Sequence, residues 1–213
     1  MTVSDSLLDA TMRLLSHPQS DGPPGAHLLP SVAAIAREAG TSRQTLYRLF
    51  PGGVEEIRTE LERQLTTEIL RGLENSVETL VDRMVFEAVV GAAVWGAHGA
   101  LISHPYGRAI CASSWTVRAS YALAPQPGGI RDRLVRYAAR CAAVFGSELS
   151  SKEIVDSAQV FVLQVLLELL SEPSLAAEDV NRCAVDDIIH EFVHSVRLED
   201  PTRKLSQLAV LPV

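Results

Sequence analysis

The stretch VAAIAREAGTSRQTLYRLF, Val32 to Phe50, decides the fold. Two short helical patterns flank a glycine. Ser31 stands where it can cap the first, VAAIAREA, and Gly40 where it can end it in the left-handed backbone of a tight turn. Ser42 can cap the second, RQTLYRLF, which stops near Pro51-Gly52-Gly53. Val32, Ile35, Leu46 and Leu49 take the inward positions, and the small Ala36 suits a close crossing. A helix, a glycine turn and a second helix make a helix-turn-helix. The second helix then turns Arg43, Gln44, Tyr47 and Arg48 outward. Arg pairs bidentately with guanine and Gln with adenine in the major groove. The hydroxyls of Thr41, Ser42 and Tyr47, with the amino end of the helix, suit phosphates, and Thr45 completes the expected DNA-facing set. A plain helical hairpin with solvated Arg and Gln fits the same pattern.

Outward from this motif, Ser4 to Ser16 reads as a first helix, followed by a Pro/Gly-rich loop, HPQSDGPPGAHLLP, from His17 to Pro30. Beyond it come longer helices. Val54 to Leu73 carries Ile57, Leu61, Leu65, Ile69 and Leu73 four apart. Val77 to Ile102 is long and mostly apolar; with Glu87, His98 and three glycines inside it, it reads as a buried helix and not a membrane span. Helices over Tyr106–Tyr121, Ile130–Gly146, Ser151–Leu170 and Ala177–Leu198 complete the chain, with a loop at Ala124–Gly129 and a tail to Val213. No convincing alternation appears, so no sheet is expected. The predicted class is all-α: an N-terminal three-helix domain with the helix-turn-helix (residues 1–53) and a C-terminal helical bundle (residues 54–213).

The segment IAREAGTSRQTLYRLFP resembles the signature of TetR-family repressors, close to IAxxAGVSxGTLYxHFxSKExL, at Ile35, Ala36, Ala39, Gly40, Ser42, Thr45, Leu46, Tyr47, Phe50 and Pro51. The resemblance implies a cytoplasmic homodimer that reads an inverted repeat in double-stranded DNA. It further implies a repressor released when a small molecule enters the C-terminal bundle and shifts the helix from Val54. Two departures stand out. The 16–31 connection is longer than the family's. Gly52-Gly53-Val54 replaces Ser-Lys-Glu, removing a Lys that touches phosphate; this points to lower DNA affinity or to compensating contacts from the insertion.

The 213 residues are 47% hydrophobic and 21% charged, ordinary for a globular protein. The net charge is −7, yet residues 1–52 balance four Arg against four acids, so the acidic excess lies away from the helix-turn-helix. Three cysteines, Cys111, Cys141 and Cys183, without Cys-x-x-Cys, argue against a disulfide framework. The opening MTVSDSLLDATMRLL has neither the basic start nor the apolar core of a signal peptide.

Within the bundle, VFVLQVLLELL (Val160 to Leu170) is apolar nearly all round and calls for burial on two sides, which a homodimer supplies. A monomeric bundle with this helix at its centre is the alternative. The expected ligand pocket follows a stripe of Met84, Ala88, Gly91, Trp95, His98 and Ile102, faced by Tyr106, Trp115, Tyr121 and Phe145; a plain core fits the same residues. Arg133, Arg136 and Arg140 form a basic stripe suited to an acidic ligand or to local acids.

One rival chemistry is present in letters: His190-Glu191-Phe192-Val193-His194 is an HExxH, with Asp187 and Cys183 along the same stripe. A zinc hydrolase needs a third ligand, and residues 195–199 offer no His. The reading is therefore non-enzymatic, with no cofactor and no metal; Asp187, His190 and His194 are the residues a metal would find. A third possibility is a sensor of the same fold that acts through a protein partner, its DNA binding weakened.

Overall fold

In the computed structural model, residues 2–16, 28–78, 84–123, 129–170, 182–198 and 202–203 are described. The expected 17–30 insertion lies largely outside them. Ten helices follow in order: α1 (Val3–Ser16), α2 (Val32–Glu38), α3 (Arg43–Leu49), α4 (Val54–Glu78), α5 (Phe86–Ser103), α6 (Pro105–Cys111), α7 (Trp115–Leu123), α8 (Ile130–Val144), α9 (Ser151–Leu169) and α10 (Arg182–Ser195). The all-α architecture is as expected. One detail corrects the sequence reading: β1 (Met84–Val85) and β2 (Thr202–Arg203) pair antiparallel, Met84 with Arg203 and Val85 with Thr202. Two residues per strand are too few to show alternation.

Three other boundaries differ. The helix expected from Val77 starts at Phe86, after the short strand. The helix expected to stop at Leu73 continues to Glu78, because no Gly or Pro follows to end it. The helix expected over Tyr106–Tyr121 is two. The Ser113 hydroxyl donates to the Ile110 carbonyl at 2.6 Å, and the Arg118 guanidinium donates to the carbonyls of Cys111 and Ser113 at 3.3 and 2.6 Å. Carbonyls held this way are lost to a continuous helix.

The first buried cluster joins α1–α3 to α4 and α6. Leu7, Ile35, Leu46, Ile57 and Leu61 are wholly buried in it. The four-residue spacing along α4 thus places Ile57, Leu61, Leu65 and Ile69 under the helix-turn-helix and the bundle at once. Helix α4 has 25 residues and so is about 37 Å long. The second cluster fills the bundle between α5, α8, α9 and α10. Phe161 stacks on Phe192 at 4.3 Å between ring centres, and Phe86 packs on both Phe145 and Phe192. Helix α9 opens with a full capping box: the Ser150 hydroxyl accepts from the Glu153 N–H and the Glu153 carboxylate accepts from the Ser150 N–H.

Helix α5 is, among the described residues, long and apolar enough to cross a membrane by length and composition. It packs its length against α4, with Phe86, Val89, Val90, Ala93, Val94, His98 and Leu101 buried.

Candidate functional site

The first candidate surface is α3. Helix α2 ends in the motif that glycine allows: Gly40 takes φ +63°, its N–H donates to the Arg37 carbonyl, and the Thr41 N–H reaches back to Ala36 at 2.9 Å. No atom lies within 4 Å of where a Cβ on Gly40 would sit, so backbone conformation and not space demands glycine there. The Ser42 hydroxyl accepts from the Thr45 N–H at 3.1 Å and starts α3. Leu46 is wholly buried, which sets the rotation of the helix. Ser42, Arg43, Gln44, Tyr47 and Arg48 are exposed together, with Thr41 and Thr45 half-buried at the edge. Tyr47, 51% exposed, lies over the turn at Gly53 (φ +63°), where a Cβ would sit 3.2 Å from its ring. At the replaced Ser-Lys-Glu, the Glu56 carboxylate accepts from the Gly52 N–H at 2.9 Å. The amino end of α4 is therefore held by an acid, with Glu55 beside it.

The second candidate is a cavity of about 650 Å³ between α4, α5, α8 and α9, within the range of small-molecule sites. Of the expected pocket residues, His98 lines it. The other described ones lie elsewhere. Phe145 is wholly buried in the bundle core. Tyr106 is wholly buried, with its hydroxyl 3.4 Å from the Glu62 carboxylate. Trp115 is 51% exposed. Trp95 lies beside the core under the Arg182 guanidinium, 4.7 Å from its ring centre, and Ile102 is half-buried outside the cavity lining. The side chains of Met84 and Tyr121 lie outside the described residues. The reason is rotation: α5 turns Val90, Ala93, Val94, Ala97, His98 and Leu101 into the cavity, whereas Trp95 and Ile102 of the expected stripe lie on its flank.

Most of the lining is apolar. Its polar lining residues include His98, Tyr137 and Cys141, along with Thr66, Glu62 and several Arg side chains. Burial, with Arg182 adding to it, holds the His98 imidazole below the ordinary histidine range. Burial pushes the Cys141 thiol up to about 12; protonated at neutral pH, it is no nucleophile there. His104 also lies below its ordinary range, through burial opposed by Glu68 and aided by Arg108. Its Nδ1 accepts from the Tyr106 N–H at 3.2 Å and caps α6, and a proton on that nitrogen would remove the acceptor. Both shifts have the same sign. Above pH 6.5, the ordinary value, native and unfolded chains are both neutral at these positions. As pH falls below it, the unfolded chain takes up protons that the native state resists, and stability declines toward the lower native pKa values. The melting temperature should fall between pH 7 and 5.5, less steeply in His98→Gln. An unchanged slope in that variant would remove His98 as a source.

At the HExxH, His190 and His194 are exposed and pack edge to face, 4.4 Å between ring centres. The Nδ1 of His190 faces the Glu87 carboxylate at 3.4 Å. Asp187 is exposed on the same helix. Among the described residues no three His, Cys, Asp or Glu side chains group as metal ligands. The basic stripe divides: Arg133 lines the cavity, whereas Arg136 pairs with Asp132 at 3.1 Å. All three cysteines are free thiols.

No family model matches the sequence, and no curated protein matches it. Among solved structures, the chain is similar to the TetR family repressor AlkX from Dietzia sp. strain DQ12-45-1b, a protein implicated in biodegradation of n-alkanes. The TM-score is 0.56 at 17% identity, over 90% of this chain and 95% of that one. At this identity the likeness is one of fold: the ten helices adopt the all-α arrangement of a TetR repressor.

Proposed function

We propose that the protein is a sequence-specific, DNA-binding transcriptional regulator, a homodimeric repressor released from an inverted-repeat operator by a small ligand. The observation that carries it is the joint exposure of Arg43, Gln44, Tyr47 and Arg48 on a helix fixed by Leu46 beneath and Ser42 at its start. Residues 1–53 form the reading unit and 54–213 the sensing and dimerising unit, joined through α4. Two supports favour the dimer. Val160, 58% exposed, and Val155 stand on the outer face of α9, where a second copy would bury them. A second head also supplies the second half-site. The cavity flanks α4 from Arg58 to Leu73. A ligand seated there pushes on the helix that carries α1–α3, changes the spacing of the two recognition helices, and lowers affinity for DNA.

The test is selection of bound fragments from random duplex DNA at a stated salt concentration. Recovery of an inverted repeat is the expected result. Recovery of no consensus from a folded dimer would replace this reading by a second, a sensor acting through a protein partner. Gly53 where the family carries a phosphate-binding Lys, followed by the exposed Glu55 and Glu56, favours that second reading.

A further inference from the structure

We infer that the cavity takes an uncharged ligand, an aliphatic body carrying one hydroxyl that meets the His98 imidazole. The inference rests on the reading of this cavity as the effector site and deepens it by naming the ligand class.

The interior is hydrocarbon: Leu73, Val90, Val94, Val162 and Val165 line it and are buried. Aliphatic walls leave the choice of ligand to the few polar groups set among them. Two polar lining side chains are more than nine-tenths buried, His98 and Cys141. The Cys141 thiol is already hydrogen-bonded to the Tyr137 hydroxyl. His98 meets the Trp95 ring edge to face, 5.8 Å between centres, and has no hydrogen-bond partner among the described residues. Neither of its nitrogens is sealed off by packing. Burial, with the Arg182 guanidinium adding to it, keeps the ring neutral above pH 7. A neutral imidazole offers one N–H donor and one nitrogen acceptor. Buried polar groups are as a rule satisfied, and a hydroxyl, itself donor and acceptor, matches either nitrogen in either tautomer. A carboxylate or an ammonium would give up its hydration against hydrocarbon and a neutral ring, which does not offset that cost. The charged side chains at the rim supply no counter-charge. Arg58 pairs with Glu55 and Glu62 at 2.7 and 2.8 Å, Arg63 pairs with Glu60 at 2.6 Å, and Arg131 and Arg133 have interactions of their own.

Calorimetric titration of the full chain at pH 7.5 compares 1-octanol, octanoate and octylammonium. The alcohol should bind about tenfold tighter than either ion, or more. His98→Leu keeps an apolar side chain at the wall and removes both ring nitrogens. It should weaken 1-octanol about fivefold or more. His98→Gln retains a donor and an acceptor and should hold most of the wild-type affinity, a difference that packing alone does not produce. Either ion binding as tightly as the alcohol would overturn the uncharged class, and that comparison needs no variant. Equal alcohol affinity in wild type and His98→Leu, or an equal loss in the two variants, would overturn the His98 contact. These results leave the effector site standing. Binding of 1-octanol that does not lower affinity for the duplex recovered by selection would overturn the effector reading and leave the ligand class standing. Binding of none of the three would overturn both.

Discussion

Arg43→Ala is expected to weaken binding to a preferred duplex by about 1–3 kcal/mol at each half-site if the guanidinium reads a guanine, and so by about 2–6 kcal/mol in a dimer that uses both heads. Arg43 opens α3 and is exposed. The cap that starts the helix belongs to Ser42, not to Arg43, so truncation removes the reading group without loosening the helix beneath it. Affinity for a scrambled duplex should change far less, because sequence-independent binding sums over all phosphate contacts. The measurement is anisotropy of a labelled operator and of its scrambled counterpart at one salt concentration, since counterion release alone moves both affinities. An equal loss on the two duplexes would make Arg43 a phosphate contact, and base reading would pass to Gln44.

The helix-turn-helix was legible because its determinants are local. Ser31, Gly40 and Ser42 fix caps and turn within a few residues of the backbone groups they satisfy, and α2 and α3 fall within a residue of their expected bounds. The cavity was not legible for the opposite reason. Helix α5 is apolar nearly all round, so hydrophobic period alone does not choose an inward face. Its rotation is set by contact with α4, far away in sequence. Trp95 and Ile102 fall on the flank for that reason, while Val90 and Ala97, unremarkable as letters, line the cavity. Arg133 was visible as part of a basic stripe. Its separation from Arg136 depends on the Asp132 pair and on which side of α8 faces the cavity.

The same dependence on long-range contact gives three glycines of one helix opposite fates. At Gly96 a Cβ would meet the Gly72 carbonyl oxygen at 2.5 Å, the Ser76 Cβ at 2.7 Å and, closer still, the Ser76 hydroxyl. At Gly72 it would meet the Gly96 carbonyl at 2.7 Å and the Ala100 Cβ at 2.8 Å. Backbone there faces backbone, so neither side yields by a rotamer change. At Gly91 and Gly99 nothing lies within 4 Å. Alanine in place of glycine inside a helix gains up to about 1 kcal/mol where there is room. Gly91→Ala and Gly99→Ala should therefore raise the denaturation midpoint. Gly96→Ala should lower it by about 1–3 kcal/mol, since it wedges a packed crossing, and Gly96→Val by more. Equilibrium urea unfolding of the three alanine variants supplies the comparison, and a stabilising Gly96→Ala would show that α4 and α5 do not meet at this point. The crossing lies at the far end of α4 from the helix-turn-helix. Under the proposed function, a ligand seated against Arg58 to Leu73 acts on a helix whose far end is pinned to α5 at Gly72, so its displacement passes toward α3. For that reason a soluble Gly96→Ala protein should also lose part of the ligand's effect on DNA affinity while retaining the ligand.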